Sequence, residues 1–113
     1  MSKLDDKIAL YTKFVADKKL GVDIELLTKV TKGLGPSIYL KDAESISCGD
    51  PSELNTVKKN FLQKKLGLDN SEEELDAMVK EICVAIGTSV RNKYRAVFYT
   101  MLVEKLGKQE VYA

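Results

Sequence analysis

Three basic residues crowd the predicted start of the last helix: Arg91, Lys93 and Arg95, each two positions from the next. Positive charge at a helix N-terminus opposes the helix dipole and costs roughly 0.3–1 kcal/mol per residue at the surface. The same helix start would offer unpaired backbone N–H groups together with the hydroxyls of Thr88 and Ser89, and such groups bind anions. These five residues predict an anion site suited to a phosphate, a nucleic-acid backbone or an acidic partner segment.

The alternative interpretation of these cations is structural. Arg91 and Arg95 are four residues apart, so on a helix they share one face. There they would be solvated or would pair with Asp42, Glu44 or Asp50 from the irregular segment that precedes the third major helix. The structural role is favoured, because a cluster of charges is only probabilistic evidence of function.

Cysteine and histidine usage argues against catalysis. Cys48 precedes a predicted helix start at Asp50, a position that can activate a thiol. The chain contains no histidine, which excludes a Cys–His nucleophile and removes the commonest metal ligand. Cys83 follows Ile82 on or beside an apolar face and is predicted to lie in the core. We therefore predict no catalytic residue, no metal and no cofactor, and an enzyme that uses Cys48 or a carboxylate is the least favoured hypothesis.

Composition bounds the class of protein. The 113 residues are 44% hydrophobic and carry 18 basic and 17 acidic side chains, for a formal net charge of +1. This balance predicts a folded core and gives no overall basic footprint for nucleic acid. No apolar run approaches the ~20 residues that span a bilayer, and the first residues lack a signal-peptide pattern. We expect a cytoplasmic protein, without a membrane segment, whose thiols are reduced.

Helical spacing of apolar residues and capping signals predict a single all-α domain over residues 1–113, with about five helices in a compact, bundle-like or orthogonal array. Predicted caps are Ser2, Asp23, Asp50, Ser71 and either Thr88 or Ser89. No stretch alternates with period two for long enough to predict a strand.

A short internal echo relates residues 18–23 to residues 64–69, KKLGVD to KKLGLD, with Phe14 and Phe61 preceding the two copies. One interpretation is a degenerate duplication of a helix pair. The other is that Lys-Leu-Gly is a good helix ending used twice, and it is favoured because capping chemistry alone explains the pattern.

Two segments, KGLGPSIY at residues 32–39 and RNKYRAVFY at residues 91–99, resemble those of a small bacterial protein family of unknown function, and the resemblance extends over nearly the full length. It implies a bacterial, cytoplasmic origin and brings no assigned activity, cofactor, partner or catalytic residue.

The first functional hypothesis is a non-enzymatic binding or interaction domain for a protein partner. Its motivation is a full set of structural signals without a catalytic constellation. The alternative is nucleic-acid or phosphate-ligand binding through the basic start of the last helix, which the overall charge does not favour. A homodimer would follow if one helix, most readily the last, kept apolar residues on two faces.

Overall fold

Five principal helices build the described part of the chain, and the computed structural model describes residues 3–87, 90 and 93–112. The elements in chain order are α1 (Lys3–Asp17), α2 (Ile24–Leu34), the single turn α3 (Lys41–Glu44), β1 (Ser45–Ile46), α4 (Pro51–Thr56), α5 (Glu72–Ile86), β2 (Lys93–Tyr94) and α6 (Arg95–Leu106). Helix α4 continues directly as a π-helix over Val57–Lys65, and 3-10 turns occupy Gly35–Tyr39 and Gln109–Tyr112. The predicted all-α class is confirmed.

Local capping chemistry sets three of the helix starts where the sequence predicted them. The Asp23 carboxylate accepts a hydrogen bond from the Glu25 amide at 3.0 Å and begins α2. Asp50 does the same for the Ser52 amide at 2.9 Å and begins α4. Ser71 begins α5 with a reciprocal capping box to Glu74. These side chains satisfy amides that would otherwise lack a partner in the first helical turn.

Helix α6 is the central element of the fold. One of its faces, with Ala96 and Val97, packs in a core cluster with Tyr11 and Val15 of α1 and Leu27 of α2. Its other face joins a second cluster formed with the π-helix and α5; the members from α6 are Phe98, Tyr99, Leu102 and Val103. The last helix does keep apolar residues on two faces, but helices of the same chain cover both, so this pattern does not require a second copy.

The region before α6 differs from the prediction of one long final helix. Helix α6 begins at Arg95, because Lys93 and Tyr94 are extended and pair antiparallel with β1. Ser45 lies opposite Tyr94 in this two-stranded ladder, and Ile46 lies opposite Lys93. The predicted caps Ser2, Thr88 and Ser89 lie outside the described residues. Strands of two residues are too short to show the alternation that predicts a strand from sequence.

Cys48 and Cys83 are joined by a disulfide with an S–S distance of 1.98 Å. The expectation of reduced thiols is therefore wrong for this structure. The physical reason is the position of the loop after β1, which places the two Cα atoms 6.1 Å apart, within the range that a disulfide requires. The prediction that Cys83 belongs to the core is confirmed, since it is buried in the cluster with Ile82 and Ile86.

Candidate functional site

A polar cleft of about 590 Å³ opens beside β1, the loop that follows it and the first turn of α4. We call it the acidic cleft. Its lining contains three carboxylates and one ammonium group, a formal charge of −2, together with three hydroxyls. The lining residues are Lys41, Glu44, Ser45, Ser47, Asp50, Glu53 and Tyr94. Lys7 and Arg95, which do not line the cleft, pair with Glu44 and Glu53 and offset two of these negative charges. The cleft would therefore attract a cation through its individual carboxylate oxygens, and not through a large net charge.

Four adjacent elements bring the lining together. Glu44 ends α3, Ser45 lies in β1, and Asp50 and Glu53 belong to the cap and first turn of α4. Tyr94 comes from the far end of the chain and reaches the cleft because β2 places it opposite Ser45. Its ring also contacts Tyr11 and packs edge-on against Phe14, so aromatic packing fixes this wall of the cleft.

Glu44 is held by two donors at one oxygen. Its Oε2 accepts hydrogen bonds from Lys7 Nζ at 2.6 Å and from the Tyr11 hydroxyl at 2.7 Å. Burial raises the pKa of Tyr11 well above its usual range, and the hydrogen bond to Glu44 adds to the effect. The phenol therefore keeps its proton and remains a donor. Within the described part of the chain both donors go to Oε2, which leaves Oε1 without a protein donor.

Glu53 is held in the same manner by Arg95. The guanidinium donates from NH2 to Glu53 Oε2 at 3.1 Å, from Nε to the Ala43 carbonyl at 2.6 Å and from NH1 to the Tyr99 hydroxyl at 2.8 Å. Only 11% of the Arg95 side chain is exposed. Three directional hydrogen bonds from one planar group thus join the end of α3, the first turn of α4 and α6. Among the described residues, Glu53 Oε1 has no donor.

The remaining residues of the predicted anion site fall in different places. Thr88, Ser89 and Arg91 lie outside the described residues. Lys93 is 2% exposed and donates from Nζ to the Val90 carbonyl, and burial lowers the pKa of its ammonium group. Lys93 and Arg95 therefore donate to separate groups and do not form one anion site. Arg95 instead holds Glu53, a carboxylate of the acidic cleft.

From the sequence, Glu44 was expected only as a partner for basic residues, and Asp50 as such a partner and as a helix cap; neither was predicted to line a binding cleft. One signal pointed toward the cleft: the polar, irregular run of residues 41–50 before a strong helix cap. Loops of this kind, placed on a rigid scaffold, commonly carry binding residues. Nothing in the spacing connects this run to Tyr94, because that contact depends on the β1–β2 ladder.

The described residues contain no group of three or more His, Cys, Asp or Glu side chains placed to hold a metal ion. None of the helices in these same ranges has the length and apolar character needed to cross a membrane.

Comparison with known proteins places the chain in a family. A family model described as "Protein of unknown function (DUF2853)" matches residues 10–110. This range contains every residue that lines the acidic cleft. No curated protein matches the chain.

Proposed function

The chain belongs to the DUF2853 family, whose function is unknown, and we propose that it is a non-enzymatic binding domain that receives a cationic segment of a protein partner in the acidic cleft. The observation that carries this proposal is the arrangement of Glu44 and Glu53. Each carboxylate is fixed through one oxygen by a donor on its protein side, and the other oxygen has no donor among the described residues. Preorganised acceptors of this kind favour a lysine or arginine side chain.

Exposed apolar residues beside the cleft support a polypeptide as the ligand. Leu40 is 60% exposed and Tyr39 is 44% exposed, and both immediately precede Lys41 of the lining. An apolar group next to a charged cleft suits a segment in which basic and apolar residues alternate. Exposed ion pairs contribute only about 0.2–1 kcal/mol each, so ion pairs to the three lining carboxylates fall short of the roughly 4 kcal/mol of a millimolar complex. Burial of an apolar group against Leu40 and Tyr39 would have to supply the rest, and we expect weak binding, with a Kd in roughly the millimolar range.

The state of Cys48 supports binding over covalent chemistry. Its sulfur is bonded to Cys83 and so presents no thiolate. The Tyr11 phenol, whose pKa is raised by burial, is a hydrogen-bond donor and not a base. The proposed site therefore needs no cofactor and no turnover.

We further propose a cytoplasmic location in a bacterial cell, which the family resemblance implies. We also propose that the domain binds its partner as a monomer. The covered faces of α6 support the latter, since its apolar residues already pack within the chain.

Fluorescence anisotropy with three labelled probes tests this function: a lysine- and leucine-containing peptide, an acidic peptide of equal length and a single-stranded oligonucleotide. Ser47→Lys places a cation in the cleft lining, and Asn60→Lys adds the same charge at an exposed position of the π-helix that does not line the cleft. We expect the basic peptide to bind at low salt, Ser47→Lys to weaken it at least about fivefold and Asn60→Lys to leave it within about twofold. Equal binding of both peptides, or equal losses in both variants, would overturn the proposal.

The oligonucleotide arm tests the alternative, nucleic-acid or phosphate-ligand binding through Thr88, Ser89, Arg91, Lys93 and Arg95. If this alternative holds, the oligonucleotide binds at low salt, and Arg91→Ala weakens it and reduces its salt dependence. Arg91 is the better single change for this test, because Arg95 also supports the fold through Glu53 and Ala43.

A further inference from the structure

The Cys48–Cys83 disulfide attaches the wall of the acidic cleft to a helix that does not line it. Cys48 lies between Ser47 and Asp50, both of which line the cleft, whereas Cys83 lies near the C-terminal end of α5. The two cysteines are 35 positions apart in sequence. The bond is therefore a long-range tie between a binding loop and the main core.

Other ties on this loop are few within the described part of the chain. Ile46, just before it, is fully buried and pairs with Lys93 in the β1–β2 ladder. Between that residue and the cap of α4, the loop makes one backbone hydrogen bond, from the Asp50 amide to the Ser47 carbonyl at 3.1 Å. Ser47, Gly49 and Asp50 are exposed, and a Cβ added at Gly49 would meet nothing closer than Ser47 Oγ at 4.0 Å. Asp50 is also held by its cap contacts with the amides of Ser52 and Leu54, so the disulfide is the strongest constraint on residues 47–49.

From this placement we propose that the Cys48–Cys83 disulfide is a redox-controlled latch on the acidic cleft. In the disulfide form, the loop holds Ser47 and Asp50 in the lining. In the dithiol form, residues 47–49 are released, Ser47 leaves the lining, and the Asp50 amide loses its hydrogen bond to the Ser47 carbonyl. The effect on a ligand rests on the proposed function, whereas the release of the loop does not. In a reducing compartment, disulfides commonly have such regulatory roles.

The chemistry requires a dithiol protein or small-molecule dithiol as reductant. Its thiolate attacks the Sγ of Cys48, because Cys83 is buried in the core and Cys48 is only partly buried in a loop whose neighbours are exposed. A mixed disulfide forms at Cys48, and the Cys83 sulfur leaves as a thiolate and takes up a proton. The second thiol of the reductant then releases Cys48 as a thiol. Two electrons and two protons pass to the protein, and the reductant becomes a disulfide.

Ordering the released loop would oppose ligand binding. A segment that is disordered before binding loses conformational entropy when it becomes ordered in the complex. We therefore expect the basic peptide to bind several-fold more weakly to the dithiol form. The supports of Glu44 and Glu53 lie on Lys7, Tyr11 and Arg95, outside the loop, so reduction should weaken the cleft without unfolding the domain.

Hydrogen–deuterium exchange on the intact chain tests the latch directly. Amide exchange of residues 47–50 is compared between the disulfide form and the same protein after treatment with dithiothreitol. The amides of residues 8–15 in α1 provide an internal control. We expect exchange of residues 47–50 to accelerate at least about tenfold on reduction and exchange in α1 to change less than about twofold. Unchanged exchange at residues 47–50, or equal acceleration throughout the chain, would overturn the proposal.

A disulfide-free variant and the peptide probe complete the test. The double variant Cys48→Ser, Cys83→Ala should exchange like the reduced wild type, and dithiothreitol should have no effect on it. If it responds to dithiothreitol, the reductant acts elsewhere and the latch is wrong. If residues 47–49 are released but the basic peptide binds neither form, the latch stands and the proposed function fails. If the peptide binds both forms equally although the loop is released, the latch does not control the cleft.

Discussion

Arg95 and Glu53 form an ion pair of 3.1 Å that connects the first turn of α6 to the first turn of α4 across 42 positions of sequence. Arg95 also donates to the Ala43 carbonyl, so one largely buried cation fixes two sides of a cleft whose lining contains three carboxylates. This relationship explains how carboxylates accumulate at one place in the fold. Their repulsion is offset by Arg95 behind Glu53 and by Lys7 behind Glu44.

Replacement of Arg95 by alanine should destabilise the protein by about 2–4 kcal/mol, because it removes three hydrogen bonds and leaves Glu53 without its partner. Arg95→Lys should lose less, since it keeps the charge but cannot make the same three directional bonds. Chemical denaturation measures both. The control Lys59→Ala, at an exposed position, should change stability by less than about 0.5 kcal/mol. A loss for Arg95→Ala as small as that of the control would contradict the structural role assigned to this residue.

The variant Tyr11→Phe isolates the hydrogen bond that holds Glu44. Phenylalanine fills the same buried space but cannot donate to Oε2, so we expect a loss of about 1–2 kcal/mol in the free energy of unfolding. The exposed Tyr39 provides a matched control, and Tyr39→Phe should be nearly neutral. Thermal or chemical unfolding gives the comparison, and equal stability of the two variants would show that the Tyr11 hydroxyl does not support the cleft.

Tyr112 predicts a specific alkaline titration. Its ring packs over Gly33 and beneath Lys65, and burial raises its pKa from 10.0 to about 12. Because the pKa of Tyr112 is higher in the folded state, its neutral phenol favours folding. This contribution to the free energy of unfolding is complete below pH 10 and is lost as the pH rises from 10 to about 12. Ultraviolet absorbance of the phenolate should therefore show that Tyr112→Phe removes a titration near pH 12. Loss of a titration near pH 10 instead would contradict the partly buried position of this ring.

Lys58 and Asp76 predict a contribution to acid stability. They form an ion pair of 2.7 Å between the π-helix and α5, and the hydrogen bond from Lys58 is the main cause that lowers the pKa of Asp76 below 3.8. Because the pKa of Asp76 is lower in the folded state, its carboxylate stabilises the fold above pH 3.8. This stabilisation is lost as the pH falls through the pKa of Asp76 in the folded protein. Carboxyl chemical shifts followed by NMR should give an Asp76 pKa below 3.8 in the wild type. Lys58→Met should raise that pKa, and an unchanged value would refute the pairing.

The helix ends are the part of this fold that can be predicted from the sequence, because their hydrogen bonds join residues close together in the chain. The caps at Asp23, Asp50 and Ser71 depend on amides two or three residues ahead, so the sequence shows both partners of each cap at once. The same holds for the glycine at the end of α6, Gly107, which adopts the left-handed conformation with φ of 65°.

Long-range pairings were not predictable from the sequence. The ladder that places Tyr94 opposite Ser45 is only two residues long, and the disulfide joins cysteines that no motif connects. The apolar pattern of α6 left a homodimer open, because a sequence cannot show whether a two-sided helix is covered by its own chain. The acidic cleft depends on the ladder and on the contacts of Arg95 together, so its composition became visible only in the folded chain.

Amide chemical-shift mapping shows at residue resolution whether the acidic cleft binds a cationic protein segment. The lysine- and leucine-containing peptide is titrated into isotope-labelled protein in the disulfide form, at low salt, beside the acidic peptide. We predict that the largest saturable shifts occur at residues 39–53 and at Tyr94, that they require the basic peptide, and that Ser47→Lys but not Asn60→Lys reduces them. Saturable shifts confined to other surfaces, or no saturable shifts at millimolar peptide, would show that the acidic cleft is not a binding site for cationic segments.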